Sequence, residues 1–170
     1  TGGASGIGRG CVEAFARAGA RVALNYRSSR EAAEEMAAKF PNRVIPIQAD
    51  ASDPAQIANL FSKIQTRWGA PTILVNNAGI VNREKFPDVT AEKFLELLKV
   101  NTVGPYLVSR EFVLRRAETE GVIVNIGSIR AFQPTTVDYS SSKAAVHNLT
   151  VGLAKTLAPK IRVNAVAPGF

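Results

Sequence analysis

Five short apolar runs, at residues 21–25, 43–48, 72–76, 121–126 and 162–166, constrain this chain more than any other feature. They are continuous rather than alternating, the pattern of strands buried on both faces of a parallel sheet. Helical stretches at 7–18, 29–40, 54–68, 90–116 and 139–157 alternate with them. Parallel strands need such crossovers. The boundaries agree: Gly19 follows the first helix as a stop, Asp53-Pro54 supplies a cap with proline at the first helical position, and Pro159 ends the last helix. Strand alternating with helix reads as an open α/β sheet with right-handed crossovers. The 170 residues carry no repeat and no linker-like break in composition, so a single domain is expected over 1–170.

Composition narrows the class further. With 46% hydrophobic and 21% charged residues the chain is neither disordered nor low-complexity. A single cysteine, Cys11, rules out a disulfide framework and a cysteine zinc cluster, and no metal site is expected. No apolar run approaches the roughly 20 residues of a membrane span, and the N-terminus lacks the basic-then-apolar pattern of a signal peptide. A soluble protein of a reducing compartment, the cytoplasm, is expected. The net charge of +7 comes from scattered residues such as Arg9, Arg17, Arg21, Arg43, Arg67 and Lys93, without a basic stripe or interleaved aromatics. Nucleic acid is therefore not the expected partner. An anionic cofactor or substrate suits the charge equally well.

The chain opens on TGGASGIG, with Gly2, Gly6 and Gly8 spaced G-x-x-x-G-x-G around Ser5 and Ile7. Such glycines let backbone approach a pyrophosphate, and the helix that follows offers free N–H groups and its dipole. A glycine-rich turn alone has the same look. In a dinucleotide fold the strand before this loop lies mid-sheet. The sequence instead begins on the loop, and it ends on Ala-Pro-Gly-Phe directly after a strand. It reads as a Rossmann-type doubly wound sheet lacking a piece at both ends.

The next strand ends in Asn25-Tyr26-Arg27-Ser28. No carboxylate stands there to accept a ribose 2′-hydroxyl or to repel a 2′-phosphate. Arg27 can pair with a phosphate through its planar fork and Ser28 can donate a hydrogen bond, which favours NADP(H) over NAD(H). A solvated strand end is the plainer alternative. Asp50-Ala51 and Asn77-Ala78-Gly79 follow the next two strands, at the sheet edge where open α/β folds bind ligands, although Asx and Gly also make ordinary turns.

Tyr139 and Lys143 lie four apart on a helix and project from one face. Bringing a phenol from about 10 to about 7 takes roughly 4 kcal/mol of differential stabilisation, which a close ammonium and a bound cationic cofactor can supply together. Ser128 follows the strand GVIVNIGS, eleven positions before Tyr139, where its hydroxyl can meet a substrate carbonyl. Asn101 sits inside the long helical stretch, near Gly104-Pro105, as a local kink or as a polar group placed for a purpose. Cys11 is expected to pack on the sheet, His147 to be a helix-face residue and Trp68 a core or edge anchor. Arg83 and Arg130 are loop arginines that either meet an acidic substrate or stay solvated.

Taken in order, TGGASGIG, NNAG, VNTVG, NIGS, YSSSK and NAVAPG resemble the short-chain dehydrogenase/reductase family over nearly the whole chain. Within it the chain looks most like bacterial beta-ketoacyl carrier-protein reductases and their relatives. The resemblance implies a carbonyl reductase, or alcohol dehydrogenase in reverse, with a Ser, Tyr, Lys and Asn tetrad. Tyr139 would be the general acid and, in reverse, the base. Ser128 would orient the carbonyl, Lys143 would hold the nicotinamide ribose and favour the phenolate, and Asn101 would hold a water in a proton relay. Pro168 and Gly169 would border the nicotinamide. The resemblance also implies a homodimer or homotetramer paired through helices 90–116 and 139–157. The interval from Ser128 to Tyr139 is a little shorter than is common in the family, so the loop between them is expected to differ in shape. Two other classes stay open on the residues alone. One is a cofactor-binding fragment or sensor without turnover, and the other is a basic nucleic-acid-binding domain.

Overall fold

A computed structural model describes residues 1–116 and 119–169. Helix α1 (Gly6–Arg17) leads to β1 (Val22–Tyr26), α2 (Arg30–Lys39) and β2 (Val44–Gln48). Helix α3 (Pro54–Trp68) then crosses to β3 (Ile73–Asn76), followed by α4 (Ala91–Leu98), a π-helical turn (Lys99–Val103) and α5 (Gly104–Arg116). Strand β4 (Gly121–Ile126), a 3₁₀ turn (Ile129–Ala131), α6 (Val137–Leu157) and β5 (Ile161–Val166) complete the order. The alternation read from the sequence is thus the alternation of the fold, with boundaries moved by one or two residues.

All the described strand pairs are parallel, but they form two sheets, β1–β2 and β3–β4–β5. Between β1 and β3 lies a largely apolar cavity of about 460 Å³, bordered by Val12, Phe15, Leu24, Leu60, Phe61 and Leu74. Cys11 and Trp68 also face it, and the Arg21 guanidinium lies 5.8 Å from the Trp68 ring centroid. The first residues of the chain bridge the two sheets. The Thr1 nitrogen donates to the Val75 carbonyl at 2.6 Å, and the Gly3 nitrogen to the Asn25 carbonyl at 2.9 Å.

Helix α3 ties the halves together. Asp53 caps it, its carboxylate accepting from Ala55 N and Gln56 N, and Pro54 takes the first position. Ile57, Leu60, Phe61 and Ile64 repeat at helical spacing and are buried in one core with Ile47 of β2 and Leu74, Ile123 and Val163 of the other sheet. Burying each such side chain contributes about 1.5–3 kcal/mol as an upper bound. A second core joins Val12 and Ala16 of α1 to Leu24 and Tyr26 of β1 and Met36 of α2.

The stretch 90–116 departs most from expectation. It divides at the π-helical turn, where Asn101 is 1% exposed. Gly104 follows, and a Cβ there would come within 2.9 Å of the Ala51 carbonyl oxygen, so only glycine lets α5 approach the end of β2. Helix α6 begins at Val137, two residues earlier than the pattern indicated, which places Tyr139 in its first turn. No described helix is long and apolar enough to cross a membrane.

Candidate active site

The parallel strands all end on the same side, and their C-terminal ends open into a cleft of about 540 Å³. Between the ends of β1 and β3 the backbone of the glycine loop turns tightly along this cleft. Gly2 and Gly6 have φ of 63° and 52°, and Gly2 packs so closely that a Cβ would meet the Ala78 Cα at 2.9 Å. Nothing stands within 4 Å of a Cβ built on Gly6, so that side of the turn is open. Ser5 and Ile7 are exposed along the same lip, and Ser5 makes no side-chain cap to the α1 N–H groups. The N-terminus of α1 therefore presents uncommitted donors beside bare backbone, which fits a pyrophosphate. Gly8 does not line the cleft. It stands one layer behind, where a Cβ would lie 2.2 Å from the Gly2 carbonyl oxygen.

The loop is clipped to the end of β3. Thr1 Oγ1 accepts from Asn77 N and Ala78 N, and Asn77 Nδ2 donates to the Thr1 and Gly2 carbonyls at 3.0 Å each. Sequence reasoning gave Asn77 a place but missed Thr1, whose hydroxyl sits at the head of the glycine motif. Asn77, Ala78 and Gly79 line the cleft with Asp50 and Ala51. Asp50 Oδ1 accepts from Ser52 N at 2.8 Å and Ser52 Oγ at 2.7 Å. Burial pushes the Asp50 carboxyl up, but those two bonds and the positive Arg27 and Lys99 nearby outweigh it and hold it below the ordinary value. Arg27 and Ser28 are exposed on the cleft rim past the end of β1.

Ser128, Tyr139 and Lys143 line the same cleft past the β3–β4–β5 sheet, together with Pro168 and Gly169. Ser128 caps the 3₁₀ turn by accepting from Arg130 N at 3.1 Å, which leaves its own hydroxyl hydrogen for another acceptor. The Pro168 carbonyl accepts from Ile129 N, fixing the Pro-Gly segment against this turn. Lys143, 5% exposed, donates to the Ile126 carbonyl at 2.9 Å, and its ammonium lies 5.7 Å from the Tyr139 ring centroid.

Burial lowers the Lys143 pKa from its ordinary 10.5. The unfolded chain thus holds this proton more readily than the folded one, so stability rises with pH between the lowered value and 10.5 and the penalty is gone above it. Lys143→Met removes the titrating group. Urea unfolding midpoints should favour the variant most near neutral pH, with the gap closing toward about pH 10. A gap that does not change with pH would assign the difference to packing.

Asn101 also stands behind the cleft wall, to which its neighbour Val100 contributes. Its side chain is fully engaged. Oδ1 accepts from Ile80 N at 2.8 Å, and Nδ2 donates to the Ile80 carbonyl at 2.8 Å and to Ser142 Oγ at 3.1 Å. It therefore clamps the segment after Gly79 to α6 at the point where the helix is interrupted, so the local kink and the engaged polar group occur together. His147 lies outside the cleft, its ring 4.5 Å from that of Phe132 in an edge-on contact.

The family model for short chain dehydrogenases matches residues 1–170. The chain belongs to that family. This short chain dehydrogenase is 38% identical to an oxidoreductase of Escherichia coli, YgfF, covering 100% of the chain and 74% of that protein. It is 37% identical to the 3-oxoacyl-[acyl-carrier-protein] reductase FabG of Aquifex aeolicus, covering 100% of the chain and 71% of the relative. The crystal structure of a dehydrogenase/reductase from Sinorhizobium meliloti superposes with a TM-score of 0.92 at 35% identity, over 99% of this chain and 69% of that one. Against another relative, a trihydroxynaphthalene reductase of Pestalotiopsis fici, this chain spans 62% of the length. Membership makes the short chain dehydrogenase an oxidoreductase of a family that uses nicotinamide dinucleotides.

Proposed function

We propose that the chain is the core of an NADP(H)-dependent oxidoreductase that interconverts a carbonyl and a secondary alcohol. The observation that carries this is the shared cleft. One surface gathers the bare glycine backbone, Arg27 and Ser28, and the Ser128, Tyr139 and Lys143 side chains. Gly2, Ser5, Gly6 and Ile7 would hold the pyrophosphate, Asp50 and Ala51 with Asn77, Ala78 and Gly79 the adenosine side, and Pro168 and Gly169 the nicotinamide side. When bound, the dinucleotide supplies or accepts the hydride. Ser128 donates a hydrogen bond to the carbonyl oxygen. Tyr139 delivers the proton as that oxygen gains charge, and takes it back in the reverse direction. Lys143 stabilises the phenolate that remains, from a site where little water competes.

Among the relatives, an Arabidopsis thaliana protein 35% identical to this chain is named an NADPH-dependent aldehyde reductase-like protein, which agrees with the cofactor preference. Titration with NADPH and NADH, followed by carbonyl-dependent NADPH oxidation, tests the reading. Arg27→Ala should weaken NADPH by about tenfold or more and leave NADH within about twofold, since only NADPH carries the 2′-phosphate. Equal losses for both would remove Arg27 from the phosphate site. The same reading expects a homo-oligomer, and Leu95, Val103, Tyr106, Leu114 and Val151 leave large apolar side chains exposed on α4, the π turn, α5 and α6 to pair through.

A further inference from the structure

The residue before Tyr139 is a carboxylate that the chemistry above does not use. Asp138 is 4% exposed, and its Oδ2 accepts from Asn82 Nδ2 at 2.7 Å. The N-terminus of α6 favours an anion, but a solvated aspartate would serve that purpose without the cost of burial. The partner explains the burial. Asn82 lies in the loop between β3 and α4, three residues beyond Gly79, and its Nδ2 also reaches the Lys93 carbonyl at 3.5 Å.

That loop is otherwise thinly held past Ile80. Val81 and Phe86 are 59% and 76% exposed, and Lys93 pairs with Glu84 at the surface. Ile80 is fixed to the π turn by Asn101, and Asn82 is fixed to α6 by Asp138. Ile80 and Val81 line the same cleft as Ser128 and Tyr139, and Asn101 ties Ile80 to Ser142, one turn along α6 from Tyr139. We propose that Asp138 is a positioning residue: through Asn82 it holds the 80–82 wall against the first turn of α6 and so sets the width of the substrate pocket beside the Tyr139 hydroxyl. The proposal rests on Tyr139 acting as the proton donor. A charge-assisted bond away from water suits this use, being short and strong enough to keep a loop at a fixed height.

Asp138→Ala, Asp138→Asn and Asn82→Ala test it. Both alanine variants should raise KM for the carbonyl about tenfold, with a smaller change in kcat and NADPH affinity within about twofold. Both should speed exchange of the Ile80 amide, which donates to Asn101 Oδ1, while leaving exchange unchanged in β4. Asp138→Asn keeps an acceptor for the Asn82 amide and should recover most of the parent KM. The double alanine variant should be no worse than either single one, because they remove one interaction. Unchanged exchange of the Ile80 amide in Asn82→Ala would overturn the proposal, as would a KM effect confined to Asp138→Ala. If Asp138→Ala does not fold, Asn82→Ala decides, since Asn82 is a half-buried residue on a mostly exposed loop outside both cores. Exchange is read without turnover. An inactive parent with the expected exchange pattern would therefore strike at the oxidoreductase reading and leave the wall contact standing.

Discussion

Tyr139→Phe should lose carbonyl reduction by about 10²- to 10⁴-fold, the usual contribution of a positioned acid or base, and should bind NADPH as the parent does. The substitution removes one hydroxyl from a half-buried ring in the first turn of α6 and keeps the ring beneath the Lys143 ammonium. Packing and the cleft wall are thus preserved, and the unfolding midpoint should barely move. Ser128 still polarises the carbonyl, so a residual rate above that of free NADPH is expected. Single-turnover oxidation of NADPH by a reactive aldehyde, with binding measured in parallel, separates the steps. A rate within threefold of the parent would mean that the proton comes from another group.

Gly8→Ala should be as damaging for a different reason, although Gly8 does not face the cleft. Its Cβ would lie 2.2 Å from the Gly2 carbonyl oxygen and 2.5 Å from Asn77 Nδ2. Neither neighbour can yield independently. The Gly2 carbonyl accepts from Asn77, and Asn77 N and Ala78 N both donate to Thr1 Oγ1, so one displaced atom moves the loop and the end of β3 together. Overpacking of this kind costs about 1–3 kcal/mol or more, and a midpoint lower by several degrees is expected. NADPH binding should fall by at least about tenfold because the Gly2 backbone no longer sits where a phosphate meets it. Gly10→Ala is the control. It lies in the same helix with nothing within 4 Å of a Cβ, and should stabilise by up to about 1 kcal/mol. Equal effects from the two substitutions would show that helix propensity, not the clash, governs this loop.

Much of this was legible before the fold was known, because the signals are local. Continuous apolar runs give strands, Asp53-Pro54 starts a helix, and a four-residue spacing places Tyr139 and Lys143 on one face. The shared edge of parallel strands then gathers Arg27, Asp50, Asn77 and Ser128 without further information. What sequence could not supply depends on partners far along the chain. Asn101 reads equally as a kink or as a polar group placed for a purpose, and sequence does not choose between them because its partners, Ile80 and Ser142, are 21 and 41 residues away. Asp138 and Asn82 are 56 apart, and neither stands out by composition. Gly8 reads from its spacing as a cofactor-binding glycine, yet it packs against the Gly2 backbone behind the cleft, because spacing alone cannot show whether a glycine faces a ligand or another stretch of backbone.

The divided sheet gives the cleft one wall from each half: Arg27 and Ser28 lie past the end of β1, while Asn77 and Ser128 follow β3 and β4. A molecule long enough to touch both walls acts as a strut across the division, and its affinity becomes cohesion between the halves. At a hundredfold excess over its dissociation constant such a ligand adds about 2.7 kcal/mol to folding. A nucleotide that reaches only one wall adds stability without bracing the seam. At equal saturation a ligand of either reach raises the midpoint alike, so the melting curve of this protein reads affinity for the folded cleft and not the length of the ligand.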